Sequence, residues 1–217
     1  MAFEREWRDL AYLPRWSIVR TLRQQSVAEH SYYVCVYARQ IADIVRFDGD
    51  YAELLKYAMA HDLEELETGD LAAPAKKQGH VVVLSEVAET IVENLFGLEV
   101  LGDMFKTSRG VKAIVKAADC MDAVMFLCEE LQMGNKTLGE FNMTLPFDPQ
   151  SILLSQAGYG GSHNSVFTRN LFALARAWGN MQHTGLACSD ESLLESWNYI
   201  VLPSIQKALT GISKRTF

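Results

Sequence analysis

Apolar residues recur at three- and four-residue steps along most of this chain, and no stretch sustains the strict alternation of a half-buried strand. Glycine and proline divide it into helical blocks. The clearest start is Ser26-Val27-Ala28-Glu29, where Ser26 caps the first turn and Glu29 reaches back in the reciprocal capping-box arrangement. Val34, Ala38, Ile41 and Val45 follow on one face, and His30, one turn before Val34, shares that face. A second block covers about 51–67 and stops at Thr68-Gly69-Asp70. Leu54, Ala58, His61 and Glu65 define its buried side, Asp62 borders it, and Glu64 and Glu67 turn to solvent. A third block spans about 85–95, before Gly97, and a fourth about 109–133, ended by Gly134-Asn135. In the fourth, Val111, Ile114, Val115, Ala118 and Asp122 separate from exposed Lys112 and Lys116, and Asp119 falls on the Val115/Ala118 side. Residues 137–164 carry turn-formers and no sustained period, the mark of a functional or mobile loop. Two closing helices are expected at about 165–181 and 189–209. The expected fold is all-α, a single domain over 1–217 with its core in about 12–135.

Composition narrows the partners. A chain of 217 residues, 49% hydrophobic, can bury a sizeable core. Its net charge of -7 argues against a protein that tracks a nucleic-acid polymer, where a basic footprint is expected. It leaves room for an anionic small molecule, because a bound cation can supply local positive charge. The four cysteines, Cys35, Cys120, Cys128 and Cys188, have no CxxC spacing and read as small buried hydrophobes in a reducing compartment. The opening MAFEREWRDL has no apolar signal core, and no apolar run is long enough to span a membrane, so a soluble cytoplasmic protein is expected.

Chemistry concentrates in His30, the pair His61-Asp62, and Asp119. Each sits on or beside an apolar helical face, where an unpaired carboxylate is costly. With no obvious arginine or lysine at helical spacing, the two aspartates call for a cation, and a metal satisfies all four residues at once. Two imidazoles and two carboxylates suit Mn, Fe, Co, Ni or Zn better than Ca or Mg. The absence of cysteine from the set speaks against a closed structural zinc site. Open coordination positions beside four protein ligands are what metal-assisted hydrolysis of a phosphate ester requires. Glu65, one turn past His61, can reach the same cavity and act on the attacking water or the leaving group.

In order along the chain, Arg15-Trp16, SVAEHS ending at Ser31, HDLEELETGD from His61 to Asp70, KAAD from Lys116 to Asp119, and EELQMGN from Glu129 to Asn135 resemble the HD-domain superfamily of metal-dependent phosphohydrolases. Within it, the chain is similar to bacterial HD-type 5′-deoxynucleotidases and to small phage-type dATP triphosphohydrolases. The resemblance implies an HD-type helical bundle with the metal between helices, a tendency to form homo-oligomers, dimers or larger, and a divalent transition metal such as Co²⁺, Mn²⁺ or Zn²⁺. It implies His30, His61, Asp62 and Asp119 as metal ligands and Glu65 as the catalytic carboxylate. Arg15 would hold the phosphate, Trp16 would pack the sugar or base, and Asp70 would contact the sugar. The physical fit is good, since Arg suits bidentate phosphate contact and a Trp face suits stacking.

One departure is visible. Where the deoxynucleotidases continue the glycine-aspartate turn with Leu-Pro-Thr-Pro, this chain has Leu71-Ala72-Ala73-Pro74. That altered loop and the tandem Lys76-Lys77 tilt the expectation toward a dATP-type triphosphohydrolase releasing deoxyadenosine and triphosphate. Arg20, Arg23, Lys112 and Lys116 are also nearby in sequence, but Arg20 and Arg23 are common to both groups and do not discriminate. The alternative is a 5′-deoxynucleotidase acting on deoxynucleoside monophosphates. More distant alternatives are a cyclic-nucleotide phosphodiesterase and a non-catalytic nucleotide-binding module. The phosphodiesterase draws no support from the Arg15-Trp16 and Gly69-Asp70 matches, and the binding module has no need of Glu65. Cellular setting follows the same split, a bacterial cytoplasm or that of a phage's host.

Overall fold

The computed structural model describes residues 6–63, 65–70, 107–138 and 165–210. The expected helix at 85–95, the Leu71–Pro74 departure, Lys76, Lys77 and all but the first two residues of the 137–164 segment lie outside the described residues.

Among the described residues every regular element is helical, as the pattern anticipates. A 3-10 turn, Glu6–Ala11, precedes α1 (Val27–Ile44), α2 (Tyr51–Ala60) and the short α3 (Glu65–Thr68). Then come the long α4 (Arg109–Gln132), α5 (Val166–Asn180), α6 (Asp190–Ser196) and α7 (Leu202–Thr210), with a π-helical turn, Trp197–Val201, between the last two. Among the described residues, extended pairing is limited to one antiparallel bridge, Pro14 with Ser26, which closes the neck of the loop before α1. None of the described helices is long and apolar enough to cross a membrane.

α4 is the axis, with α1 packed on one side and α5 on the other. Val34, Ala38 and Ile41 of α1 and Leu171, Leu174 and Trp178 of α5 share one buried cluster with Ile114, Val115, Ala118, Phe126 and Leu127 of α4. Each large side chain removed from water there contributes roughly 1.5–3 kcal/mol before conformational entropy is charged against it. Tyr32 and Tyr33 of α1 are exposed while Tyr37 is half-buried, so the three divide between surface and core. All four cysteines are free thiols; Cys120 and Cys128 are buried and Cys35 and Cys188 half-buried.

Helix ends follow local chemistry. The Ser26 hydroxyl accepts from Glu29 N–H, but the Glu29 carboxylate binds Arg23 instead of closing the capping box. α4 ends in a Schellman closure, with Gly134 at φ +92°, Asn135 N–H on Glu130 C=O and Gly134 N–H on Leu131 C=O. Two expected helices are broken. The one drawn through 51–67 stops at Ala60, and hydrogen bonds three residues apart (Leu63 to Ala60, Glu65 to Asp62, Leu66 to Leu63) tighten the chain before α3. The one drawn through 189–209 passes through the π-helical turn, where Leu202 N–H reaches back to Trp197 C=O. Pro203 explains this break: it lacks an N–H for the carbonyl four residues earlier and crowds it.

Candidate metal and phosphate site

The tightened turn after α2 lets two adjacent residues face one place. Ligand atoms of His30, His61 and Asp62 all lie within 4.8 Å of one another. Asp62 Oδ2 is 3.3 Å from His30 Nε2 and 3.4 Å from His61 Nε2, and Asp119 Oδ1 from α4 is 3.5 Å from His30 Nε2. These residues come from α1, the turn at 61–63, and α4, so packing of α1 and α2 on α4 assembles the group.

Hydrogen-bond partners fix how the imidazoles present themselves. His30 Nδ1 is 2.6 Å from Asp122 Oδ2, and His61 Nδ1 is 2.8 Å from the Ala58 carbonyl. Both partners accept, so each neutral ring carries its proton on Nδ1 and turns a bare Nε2 inward. Both Nε2 atoms are buried with no hydrogen-bond partner. A buried nitrogen lone pair without a donor is costly, and two of them beside aspartates fit a divalent cation. His30, His61 and Asp62 could hold it, with Asp119 beside them.

The surrounding charges refine the picture. Arg15 lies against both aspartates, Nη1 at 3.4 Å from Asp62 Oδ2 and Nη2 at 3.8 Å from Asp119 Oδ1. Burial works against its charge, but Asp62, Asp119, Glu65 and Asp70 keep the guanidinium protonated. Burial likewise opposes the charge on Asp62, yet His61, His30 and Arg15 hold that carboxyl well below the usual range. Asp119 is lowered too, because Lys116 and Arg15 outweigh burial and the nearby Asp62. Burial pushes His61 down, which favours the neutral ring that a metal needs, whereas at His30 burial and Arg15 are outweighed by Asp122, Asp62 and Asp119, which raise it in the absence of a cation.

Lys116 corrects the expectation that neither aspartate has a cationic partner at helical spacing. Its Nζ is 2.6 Å from Asp119 Oδ2, three residues along the same helix. The side chain is 66% exposed, as its place on α4 suggests, and only its end folds back to the carboxylate. Protein cations therefore partly balance the aspartates, and the call for a metal rests on the two bare imidazole nitrogens.

The remaining expected residues converge on the same place, except those outside the described residues. Glu65 is buried in the first turn of α3. Asp70 meets the arginine loop, its carboxylate accepting from Ser17 N–H at 3.4 Å and its carbonyl from the Ser17 hydroxyl at 3.2 Å. Trp16, at φ +67°, stacks on Phe126 with centroids 5.4 Å apart and donates its indole N–H to Gln25 at 2.9 Å. Two further residues carry weight that the pattern does not assign. Gln25 and Asp122 are both buried and bonded to each other at 2.9 Å. Asp122 had a signal, a carboxylate on the apolar face of α4; Gln25, a neutral residue beside the cap, had none.

The EELQMGN stretch has a mechanical role. Glu130, fully buried, accepts from Leu22 N–H at 2.6 Å, Arg23 N–H at 2.8 Å and Asn135 Nδ2 at 2.7 Å. Asn135 Nδ2 also donates to the Arg20 carbonyl at 2.9 Å. The end of α4 thereby clamps the loop that carries Arg15 and Trp16.

Residues 2–146 match the model of the YfbR-like 5′-deoxynucleotidases. A 5′-deoxynucleotidase of Pectobacterium atrosepticum is 32% identical over 141 residues, covering 58% of this chain and 71% of the relative. One of Yersinia pestis is also 32% identical over 141 residues, covering 58% of this chain and 72% of the relative. Among solved structures, the cyanophage S-2L HD phosphohydrolase bound to dA and one catalytic Zn²⁺ ion superposes with a TM-score of 0.58 at 18% identity, over 95% of this chain and 98% of its own. An HD-domain phosphohydrolase of Listeria innocua gives a TM-score of 0.58 at 18% identity, over 96% and 89%. At that identity the two structures establish a common fold, and it extends past residue 146 through the closing helices.

Proposed function

The chain belongs to the YfbR-like 5′-deoxynucleotidase family and is a hydrolytic enzyme, and on that premise we propose that it cleaves 2′-deoxynucleoside 5′-monophosphates to deoxynucleoside and inorganic phosphate with the help of a divalent transition metal. The observation that carries the reading is the pair of bare, buried Nε2 atoms of His30 and His61 gathered around Asp62, with Arg15 on the same carboxylate.

His30, His61, Asp62 and Asp119 are assigned as the metal's holders. The ion supplies Lewis acidity there, lowering the pKa of water and polarising a phosphoryl oxygen. Arg15, kept charged by four carboxylates, holds the phosphate of the substrate and orients phosphorus for in-line attack. Glu65, buried one turn after His61, takes the proton of the attacking water or returns one to the departing 5′-oxygen. Overall, water adds to phosphorus as the ester bond to the 5′-oxygen breaks, and that oxygen leaves protonated. Trp16 offers a stacking face for sugar or base, and Asp70, tied to Ser17, stands where a sugar hydroxyl would be read.

The family and its 32%-identical relatives support the monophosphate over the triphosphate expectation. So does the use of charge. Arg23 is engaged by Glu29 at 2.7 Å, by Glu129 at 2.8 Å and over the Phe126 ring, and Lys116 is engaged by Asp119. Those cations are committed to the scaffold and not set aside for a polyphosphate. The test is product analysis with metal-loaded protein: orthophosphate from dAMP at a rate well above that from AMP supports the proposal. Tripolyphosphate from dATP with dAMP untouched would overturn it.

A further inference from the structure

Three consecutive hydrogen bonds join His30 to the loop that bears Arg15. His30 Nδ1 donates to Asp122 Oδ2 at 2.6 Å, Gln25 Nε2 donates to the same oxygen at 2.9 Å, and Trp16 Nε1 donates to Gln25 Oε1 at 2.9 Å. The series runs in one direction only. An indole N–H donates and a carboxylate accepts, so the Gln25 amide must turn its carbonyl to Trp16 and its NH₂ to Asp122, and His30 must carry its proton on Nδ1. His30, Gln25 and Asp122 are 0%, 1% and 3% exposed, which removes competition from water. At the far end Trp16 holds an unfavourable left-handed backbone, secured by its stacking on Phe126 and by Arg15 N–H on the Gln25 carbonyl at 2.8 Å.

We infer that Gln25 and Asp122 are positioning residues that set the metal-facing imidazole and the phosphate-holding loop as one unit. Asp122 fixes the tautomer and the ring orientation of His30, as partners behind metal-bound histidines do. Gln25 passes the same constraint to Trp16 and so to Arg15, its neighbour. A change at the indole end, three hydrogen bonds from the donor set, therefore alters cation affinity. The inference rests on the reading of His30 as a metal ligand.

The test uses the full chain, stripped of metal, with Zn²⁺ affinity measured by competition against a chromophoric chelator. Wild type is compared with Gln25→Leu, which keeps volume and deletes both links, with Trp16→Phe, which keeps the stacking and deletes the indole donor, and with the double variant. Circular dichroism and melting of the apo proteins report folding, and KM and kcat for dAMP are recorded alongside. Gln25→Leu is expected to weaken zinc binding by about 10- to 100-fold. Trp16→Phe is expected to weaken it by less and to add nothing in the Gln25→Leu background, the non-additivity of a single network. Should Gln25→Leu not fold, Trp16→Phe and the isosteric Asp122→Asn carry the test. Wild-type zinc affinity retained in the folded variants overturns the relay and leaves the metal reading standing. So does a Trp16→Phe that raises KM while zinc affinity holds, since Trp16 then acts on the substrate and not on the donor set. A wild-type protein that takes up none of Zn²⁺, Co²⁺ and Mn²⁺ overturns the metal reading and the relay together.

Discussion

Asp119 employs its two carboxylate oxygens differently: Oδ2 meets Lys116 Nζ at 2.6 Å, while Oδ1 faces His30 Nε2 at 3.5 Å and Arg15 Nη2 at 3.8 Å. The lysine leaves one oxygen for a cation and keeps the group from rotating away. Lys116→Met should weaken metal affinity by about tenfold, the lower bound for removing a partner behind a ligand, with the fold intact by circular dichroism; unchanged affinity would show the contact to be incidental. Glu65→Ala isolates the chemistry. Its kcat should fall by about 10²- to 10⁴-fold, the usual worth of a positioned acid or base, while metal content per chain stays at the wild-type level. Equal turnover with equal metal would remove Glu65 from the mechanism. Which residues could be read from the sequence follows from burial. His30, His61, Asp62, Glu65 and Asp119 stand out because a polar group on or beside an apolar stripe demands an explanation. Gln25 gives no such signal, being neutral and in the loop just before the Ser26 cap, and Lys116 hides because a solvent-facing lysine reveals nothing about where its ammonium ends.

Helix termini carry the same lesson one scale up. Ser26 as cap and Gly134 as terminator are read directly from residue type, and both act as expected. Ser26→Ala should cost about 1 kcal/mol, the typical worth of an N-cap, and Gly134→Ala about 1–2 kcal/mol for a Cβ forced into the left-handed region; urea denaturation midpoints measure both. The breaks at Ala60 and Trp197 escape a periodicity argument for a physical reason. His61 is still in right-handed helical space and the hydrogen-bond step through Leu63 only shortens, so apolar spacing is barely disturbed. That small tightening is nevertheless what aims His61 and Asp62 at one point. At the second break Pro203 is the available signal, having no N–H for the carbonyl four residues earlier, and apolar spacing alone does not register it.

At the scale of the whole molecule, the donor set ties together segments far apart in sequence: α1, the turn after α2, and α4. A cation that binds the assembled donors and not the unfolded chain must stabilise the fold by mass action, by about 2.7 kcal/mol at a concentration one hundred times its dissociation constant. For a chain of this size that corresponds to a rise in melting temperature of roughly 5–10 °C. Zn²⁺ or Mn²⁺ should therefore raise the melting temperature, and EDTA should reverse the rise. Asp119→Asn separates the ligand from its protein partners, because burial and Asp62 oppose the Asp119 charge while Lys116 and Arg15 outweigh them and hold the carboxyl below its ordinary value, so the charge already favours the fold without metal. Removing that charge should lower apo stability modestly at neutral pH and should also abolish most of the metal-induced rise. A melting temperature indifferent to metal in wild type, or an Asp119→Asn variant that keeps the full rise, would mean that these donors do not grip an ion and that the buried imidazoles need another explanation.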